Sequence, residues 1–235
     1  MPTNTASLAT SSEPSIELSE QAIRRVRRRL RSWGRRHYRD YTWRSESDPW
    51  LTLVAEFLLQ RTRSSQVEPI FRDFRTRYPA AADLVRAGPD AAQAVTAGLG
   101  IHWRGPLLYR LAIAVVENGG IPPESLHKLG QITGVGPYTT AAWLSLHRGQ
   151  RAVIVDSNVF RWLGRMTGRP YQRDPRHIHW VNELADQLTP QRAFREYNYA
   201  VLDFTMSICT PREPHCPECP LRRDCEFGRR SRSPR

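Results

Sequence analysis

A glutamate inside the apolar stretch LTLVAEFLL, an aspartate closing VIVD and four thiols crowded into residues 209–225 are the side chains most able to do chemistry. Glu56 is the only ionisable residue of its stretch, so its helix is apolar nearly all round. Burying a lone carboxylate is expensive unless it is paired or kept protonated. A raised pKa would suit such a group as an acid or hydrogen-bond donor; a place on a solvated face is the plainer alternative. Asp156 stands where the chain leaves Val153-Ile154-Val155 and opens a helix at Ser157-Asn158. Taken alone it reads first as the N-cap of that helix, and second as a carboxylate that stabilises developing positive charge or activates water.

The cysteines run Cys209-x6-Cys216-x2-Cys219-x5-Cys225, with no others in the chain, on a loop holding Pro211, Pro214, Pro217 and Pro220. Four thiolates so close can hold a tetrahedral zinc or an iron–sulfur cluster. One knuckle flanked by single cysteines on longer arms suits the larger cluster better than two separated zinc knuckles. Residues 1–18 lack the basic start and apolar run of a signal peptide, which argues against disulfides and for a reducing, cytoplasmic setting. No stretch reaches the roughly 20 apolar residues of a membrane span.

These groups need elements to position them. The chain of 235 residues carries a net charge of +12, nearly all from arginine, since Lys128 is the only lysine. Arginine makes bidentate phosphate contacts and stacks on bases, so a polyanion, nucleic acid before a membrane surface, is the expected partner. Arginine-rich coding would produce the same surplus, so the charge speaks only together with motifs.

The pattern is all-α. A basic helix capped by Ser19 puts Ile23, Val26, Leu30 and Trp33 on one face, with Arg24, Arg25, Arg27, Arg28, Arg29 and Arg31 around it. Asp48-Pro49 reads as N-cap and first residue of a helix over 49–62. Pro69, Pro79, Gly88-Pro89 and Gly98-x-Gly100 punctuate shorter helices. Trp103 and Trp143 read as pocket or core, core being the commoner place for isolated tryptophans in helical segments. Residues 124–148 form a helix, a tight Gly134-Val135-Gly136 turn, and a helix opening at Pro137. Two glycines allow close approach to a ligand, and the second helix points its free amides and positive dipole end at a phosphate.

With these motifs in hand, the chain resembles the endonuclease III superfamily of helix-hairpin-helix DNA glycosylases. The matching segments are DPWLTLVAEFLLQRT, AGLGIHWR, ITGVGPYTTAA, VIVDSNVFRW and the cysteine array, roughly residues 40–226. The resemblance implies two helical domains, with double-stranded DNA in the groove between them. A six-helix domain with the hairpin would span 49–155, and a cluster domain 19–48 plus 156–228; 1–18 would be a disordered start and 229–235 a basic tail. It implies a [4Fe-4S] cluster on Cys209, Cys216, Cys219 and Cys225, used for structure or docking. It makes Asp156 catalytic and Glu56 its companion. The position after the hairpin, a Schiff-base lysine in the bifunctional branch, is Tyr138 here, and a phenol forms no imine.

The expectation is therefore a monofunctional glycosylase, a monomer acting in the cytoplasm on the nucleoid. Tyr138 and Leu-Gln-Arg-Thr resemble the branch that removes thymine or uracil opposite guanine; adenine excision and a non-catalytic DNA-binding role are the alternatives. Tyr138 would line the pocket for a flipped pyrimidine. Gln60 would line the pocket too, and Arg61 would fill the gap or read the estranged guanine. Leu99, Ile101 and His102 would approach from the opposite loop, and Gly134, Val135, Gly136 and Asn158 would meet the DNA backbone.

Overall fold

The computed structural model describes residues 18–100, 103–169 and 179–231. The wedge candidates Ile101 and His102, nearly all of the expected disordered start and most of the basic tail lie outside the described residues. Within them the chain is helical and contains no strand, so Val153–Val155 founds no sheet. The helices are α1 (Glu20–His37), α2 (Thr42–Ser45), α3 (Pro49–Leu58), α4 (Ser64–Arg77), α5 (Ala81–Ala87), α6 (Pro89–Ala97), α7 (Arg104–Glu117), α8 (Leu126–Gly130), α9 (Pro137–His147), α10 (Ser157–Thr167), α11 (His179–Leu188), α12 (Phe194–Ser207) and α13 (Glu226–Arg230). None is long and apolar enough to cross a membrane.

Local chemistry starts these helices where the sequence predicts. The Ser19 hydroxyl accepts from the Ala22 amide at the head of α1, and Asp48 accepts from Leu51 N at 2.9 Å at the head of α3. Two boundaries differ from expectation. α3 stops at Leu58 rather than 62, because the chain turns at 59–62 and Arg61 takes φ +54°. Pro69 lies inside α4 rather than ending it. Its missing amide would have paired with the carbonyl of exposed Ser65, where water can serve instead.

The helices bury two large apolar clusters. The first draws on Trp43 through Leu144 and is centred on α3, α4 and α7. The second joins α1 to the chain after residue 158, with Leu30, Trp33, Phe160, Leu163, Leu184 and Phe204 in its interior. A third, smaller cluster of Ala142, Leu146, Ile154 and Tyr199 lies where α9 meets α12, with Tyr138 at its edge. Thus both chain ends build one core and the middle of the chain builds the other.

Close contacts lock the arrangement. A Cβ on Gly34 would meet Ala200 Cβ at 2.6 Å, so α1 and α12 approach as closely as a glycine permits. Arg44 of α2 grips Asp203 of α12 with two hydrogen bonds of 2.7 and 2.8 Å. The arginines of α1, expected around a polyanion-binding face, are largely occupied within the fold. Arg25 and Arg29 hold Asp224 at 2.7 and 2.6 Å, and Arg27 donates to the carbonyls of Gln187 and Leu188 at the end of α11. There they neutralise helix-end carbonyls and anchor the cysteine segment.

Candidate active site and thiol cavity

Every residue of α3 from Trp50 to Leu58 is buried, which is why the stretch is apolar on all sides. Glu56, 3% exposed, shares that burial, so the solvated-face alternative does not hold. Its carboxylate is paired: His147 Nε2 lies 2.9 Å from Oε1. The partner comes from the last turn of α9, far along the chain. One turn earlier, Trp143 Nε1 donates to Thr52 Oγ1 at 3.0 Å. The two pairs, 52 with 143 and 56 with 147, advance together by four residues, so α3 and α9 run side by side in register. That shared spacing of polar residues on two apolar helices was the available signal.

Tyr138 is the second residue of α9 and is half-buried at the edge of the third cluster. Burial pushes its phenol well above the ordinary tyrosine value, and the charges of Asp156 and then Glu56 push it further in the same direction. Both candidate carboxylates therefore act on one neutral hydroxyl. Tyr199 of α12 is also pushed up, to about 12, chiefly by burial and then by Glu56.

Asp156 is the N-cap of α10, as its residue context alone suggested. Oδ1 accepts from the amides of Asn158 and Val159 at 2.9 and 2.7 Å, and Oδ2 accepts from Asn158 Nδ2 at 2.7 Å. These bonds fix the carboxylate at the positive end of the helix. Asn158 Oδ1 in turn accepts from Arg161, which donates to the carbonyls of Cys209 and Thr205. A continuous chain of hydrogen bonds thus runs from Asp156 to the first cysteine.

The hairpin is formed by α8, the turn and α9. Val135 N donates to Ile132 O at 2.9 Å. Gly134 takes φ +92°, and a Cβ there would press on Phe57 and Leu107 at 3.2 Å. Val135 is buried, 3% exposed, and so anchors the turn. Gly136 is exposed and caps α9 without a side chain, with Pro137 following, leaving amides of the first turn free of a side-chain partner. Gln60 Nε2 donates to Gly134 O and Thr139 Oγ1, both at 2.9 Å, and so ties the end of α3 to the hairpin.

Other candidates disperse. Arg61 is exposed, in the left-handed backbone region that a non-glycine residue adopts at a cost. Leu99 is 8% exposed and packs in the first core. Trp143 is fully buried as expected, but Trp103 is 53% exposed on the loop before α7, so the core reading fails for it. Between these loops the fully buried Arg104 guanidinium donates to Leu58 O and Thr62 Oγ1.

The four cysteines are free thiols lining a single cavity with Trp162, Phe204, Leu221 and Phe227. Among the described residues no three His, Cys, Asp or Glu side chains gather closely enough to hold a single metal ion. Burial pushes the Cys219 thiol up to about 12, with the neighbouring thiols adding to it. Cationic and amide donors face the sulfurs: Arg165 Nη1 lies 3.5 Å from Cys209 Sγ, and Gly228 N 3.4 Å from Cys225 Sγ. Such a thiol set fits a centre that carries its own positive charge.

Comparison with known proteins agrees with this geometry. No protein-family model matches the chain. It is 36% identical over 219 residues to the thymine-DNA glycosylase of Aeropyrum pernix, covering 89% of this chain and 97% of that protein. It is 35% identical to the thymine/uracil-DNA glycosylase of Pyrobaculum aerophilum, over 78% of this chain and 82% of the relative. The solved structure of a thermostable thymine-DNA glycosylase superposes with a TM-score of 0.84 at 28% identity, covering 92% of this chain and all of that one. The chain belongs to the thymine/uracil-DNA glycosylases.

Proposed function

We propose that this protein hydrolyses the N-glycosidic bond of thymine or uracil mispaired with guanine in double-stranded DNA, leaving an abasic site. The observation that carries the reading is Tyr138: a phenol, and no amine, stands at the head of α9, at the edge of the cluster where α9 meets α12. Asp156 supplies the carboxylate that the reaction needs beside the sugar, and Glu56 is its companion.

The C1′–N bond breaks as its electron pair leaves with the base, and positive charge grows on the sugar. The Asp156 carboxylate, held in place by the amides of Asn158 and Val159, stabilises that charge. It then takes the proton of the water that adds to C1′. Glu56 and Tyr138 hold the flipped base, and the phenol donates to it or stacks on it. With tyrosine at this position, lysine-dependent strand cleavage has no nucleophile.

DNA lies in the groove between the two cores, its backbone on the free amides of Gly136 and the following turn. The proposed division is a middle domain of 49–155 and a second domain built from 19–48 and 156–228, with Trp43 of the second packing into the middle core. Arg61 enters the duplex gap or reads guanine, Gln60 supports the hairpin, and Asn158 orients Asp156. The thiols of Cys209, Cys216, Cys219 and Cys225, which line one cavity, would hold a [4Fe-4S] cluster that would tie down the C-terminal loop. The protein works as a monomer on the nucleoid.

The test is single-turnover incubation with labelled duplexes bearing G·U, G·T, G·A and oxidised-guanine·A, with and without alkali. Alkali-dependent breaks in the pyrimidine strand of G·U and G·T are expected. Breaks at adenine, or breaks without alkali, would overturn the assignment.

A further inference from the structure

We infer that His147 is a positioning residue for Glu56, fixing its carboxylate by a hydrogen bond that the chain supplies from the far end of α9. The inference rests on the role proposed above for Glu56. Both side chains are almost wholly buried, 1% exposed for His147 and 4% for Glu56, and their 2.9 Å contact is the one hydrogen bond of either side chain among the described residues.

The ring's other nitrogen decides the direction of the bond. His147 Nδ1 is buried and has no hydrogen-bond partner among the described residues. A proton on it would be a buried donor with nothing to accept it, which is costlier than an unpaired lone pair. The proton is therefore assigned to Nε2, which donates to Glu56 Oε1. Glu56 is then held as a carboxylate in one rotamer, with Oε2 turned to other duties. This differs from the protonated donor that the sequence alone suggested for Glu56.

Among the described residues His147 is the one side chain hydrogen-bonded to Glu56. The core that α3 shares with α4 and α7 is apolar at Val67, Phe71, Phe74, Leu108 and Leu111, and the Arg104 guanidinium is bound to Leu58 O and Thr62 Oγ1. Tyr138 of α9 and Tyr199 of α12 both feel the Glu56 charge. Behind Tyr199 stand Arg195 and Arg44, the latter stacked 4.5 Å from its ring and paired with Asp203. Asp156 reaches the group through Tyr138.

The experiment compares wild type with His147→Phe, His147→Gln and Glu56→Gln by single-turnover excision from a G·U duplex across pH, with duplex affinity and melting temperature measured alongside. His147→Phe removes the donor and should slow excision about ten- to hundred-fold, the effect of losing a hydrogen bond to a charged group. Affinity should stay within about three-fold. His147→Gln keeps an N–H donor but cannot titrate. It should retain a rate within about three-fold of wild type near neutral pH and show a displaced, single-group acid limb.

Wild-type rates and pH profiles in both variants would overturn the inference, as would equal losses in both with the fold intact. If His147→Phe fails to fold, the acid limb of His147→Gln decides: displaced supports the inference, unchanged refutes it. Full activity in Glu56→Gln would instead sink the reading of Glu56 on which the inference rests.

Discussion

Asp203→Ala should unfold the protein far more easily than its place, remote from any reacting atom, would suggest. Asp203 is 1% exposed and accepts two guanidinium bonds from Arg44, at 2.7 and 2.8 Å, plus the Arg39 amide at 3.2 Å. Arg44 is itself only 14% exposed, lies over the Tyr199 ring and ties α2 to α12. Removing the carboxylate strands a buried guanidinium, and breaking a buried pair from one side costs about 3–5 kcal/mol. For a chain of this size that is a fall in Tm of roughly 6–20 °C. Asp203→Asn keeps one acceptor and should lose about half as much. Replacing both partners with apolar residues, Arg44→Met with Asp203→Leu, should recover most of the loss, since no charge is left unpaired. Thermal melts of the four proteins and a double-mutant cycle check this. A cost for Asp203→Ala below about 1 kcal/mol, the level of an exposed ion pair, would refute the claim that this clamp joins the two cores.

Two further outcomes follow from the same structure. Gly34→Ala should destabilise by about 1–3 kcal/mol in urea denaturation, because the new methyl meets Ala200 Cβ at 2.6 Å and neither atom can rotate away. Melting temperature should hold steady as pH rises to about 10 and then fall toward 12. Tyr138 and Tyr199 have phenols raised by burial, Tyr199 to about 12. Their stabilising contribution is complete below the unfolded tyrosine pKa and is lost as pH climbs through the folded values, which a melt series from about pH 8 to about 12 would follow.

What could be read from the sequence was what nearest neighbours decide. Ser19 and Asp48-Pro49 start their helices because a side-chain oxygen and a proline act within three residues. The Gly134 turn needs a positive φ that glycine gives freely. The burial of Glu56 followed from the apolar residues on either side of it. What escaped was set by partners far along the chain. His147 lies 91 positions from Glu56, and only the registry of α3 with α9 brings them together. Arg25, Arg27 and Arg29 looked like a surface for a polyanion until Asp224 and the end of α11 arrived to occupy them. The end of α3 was misjudged because apolar periodicity runs through Leu59, while the positive φ of Arg61 depends on the turn beyond it. Trp103, an aromatic that composition assigns to the interior, is exposed because its loop precedes α7 on the open side of the fold.

The central claim separates two duties of Asp156, capping α10 and assisting hydrolysis, and one substitution distinguishes them. Asparagine is as good an N-cap as aspartate, and its carbonyl can accept the Asn158 and Val159 amides that Asp156 now receives at 2.9 and 2.7 Å. It carries no charge to oppose the cationic sugar and cannot take a proton from water. Single-turnover excision of uracil from a G·U duplex by Asp156→Asn, with the duplex Kd and Tm measured on the same preparation, is the most direct test. The account predicts loss of excision with binding and melting close to wild type. Excision at the wild-type rate would contradict it and leave Asp156 a helix cap alone.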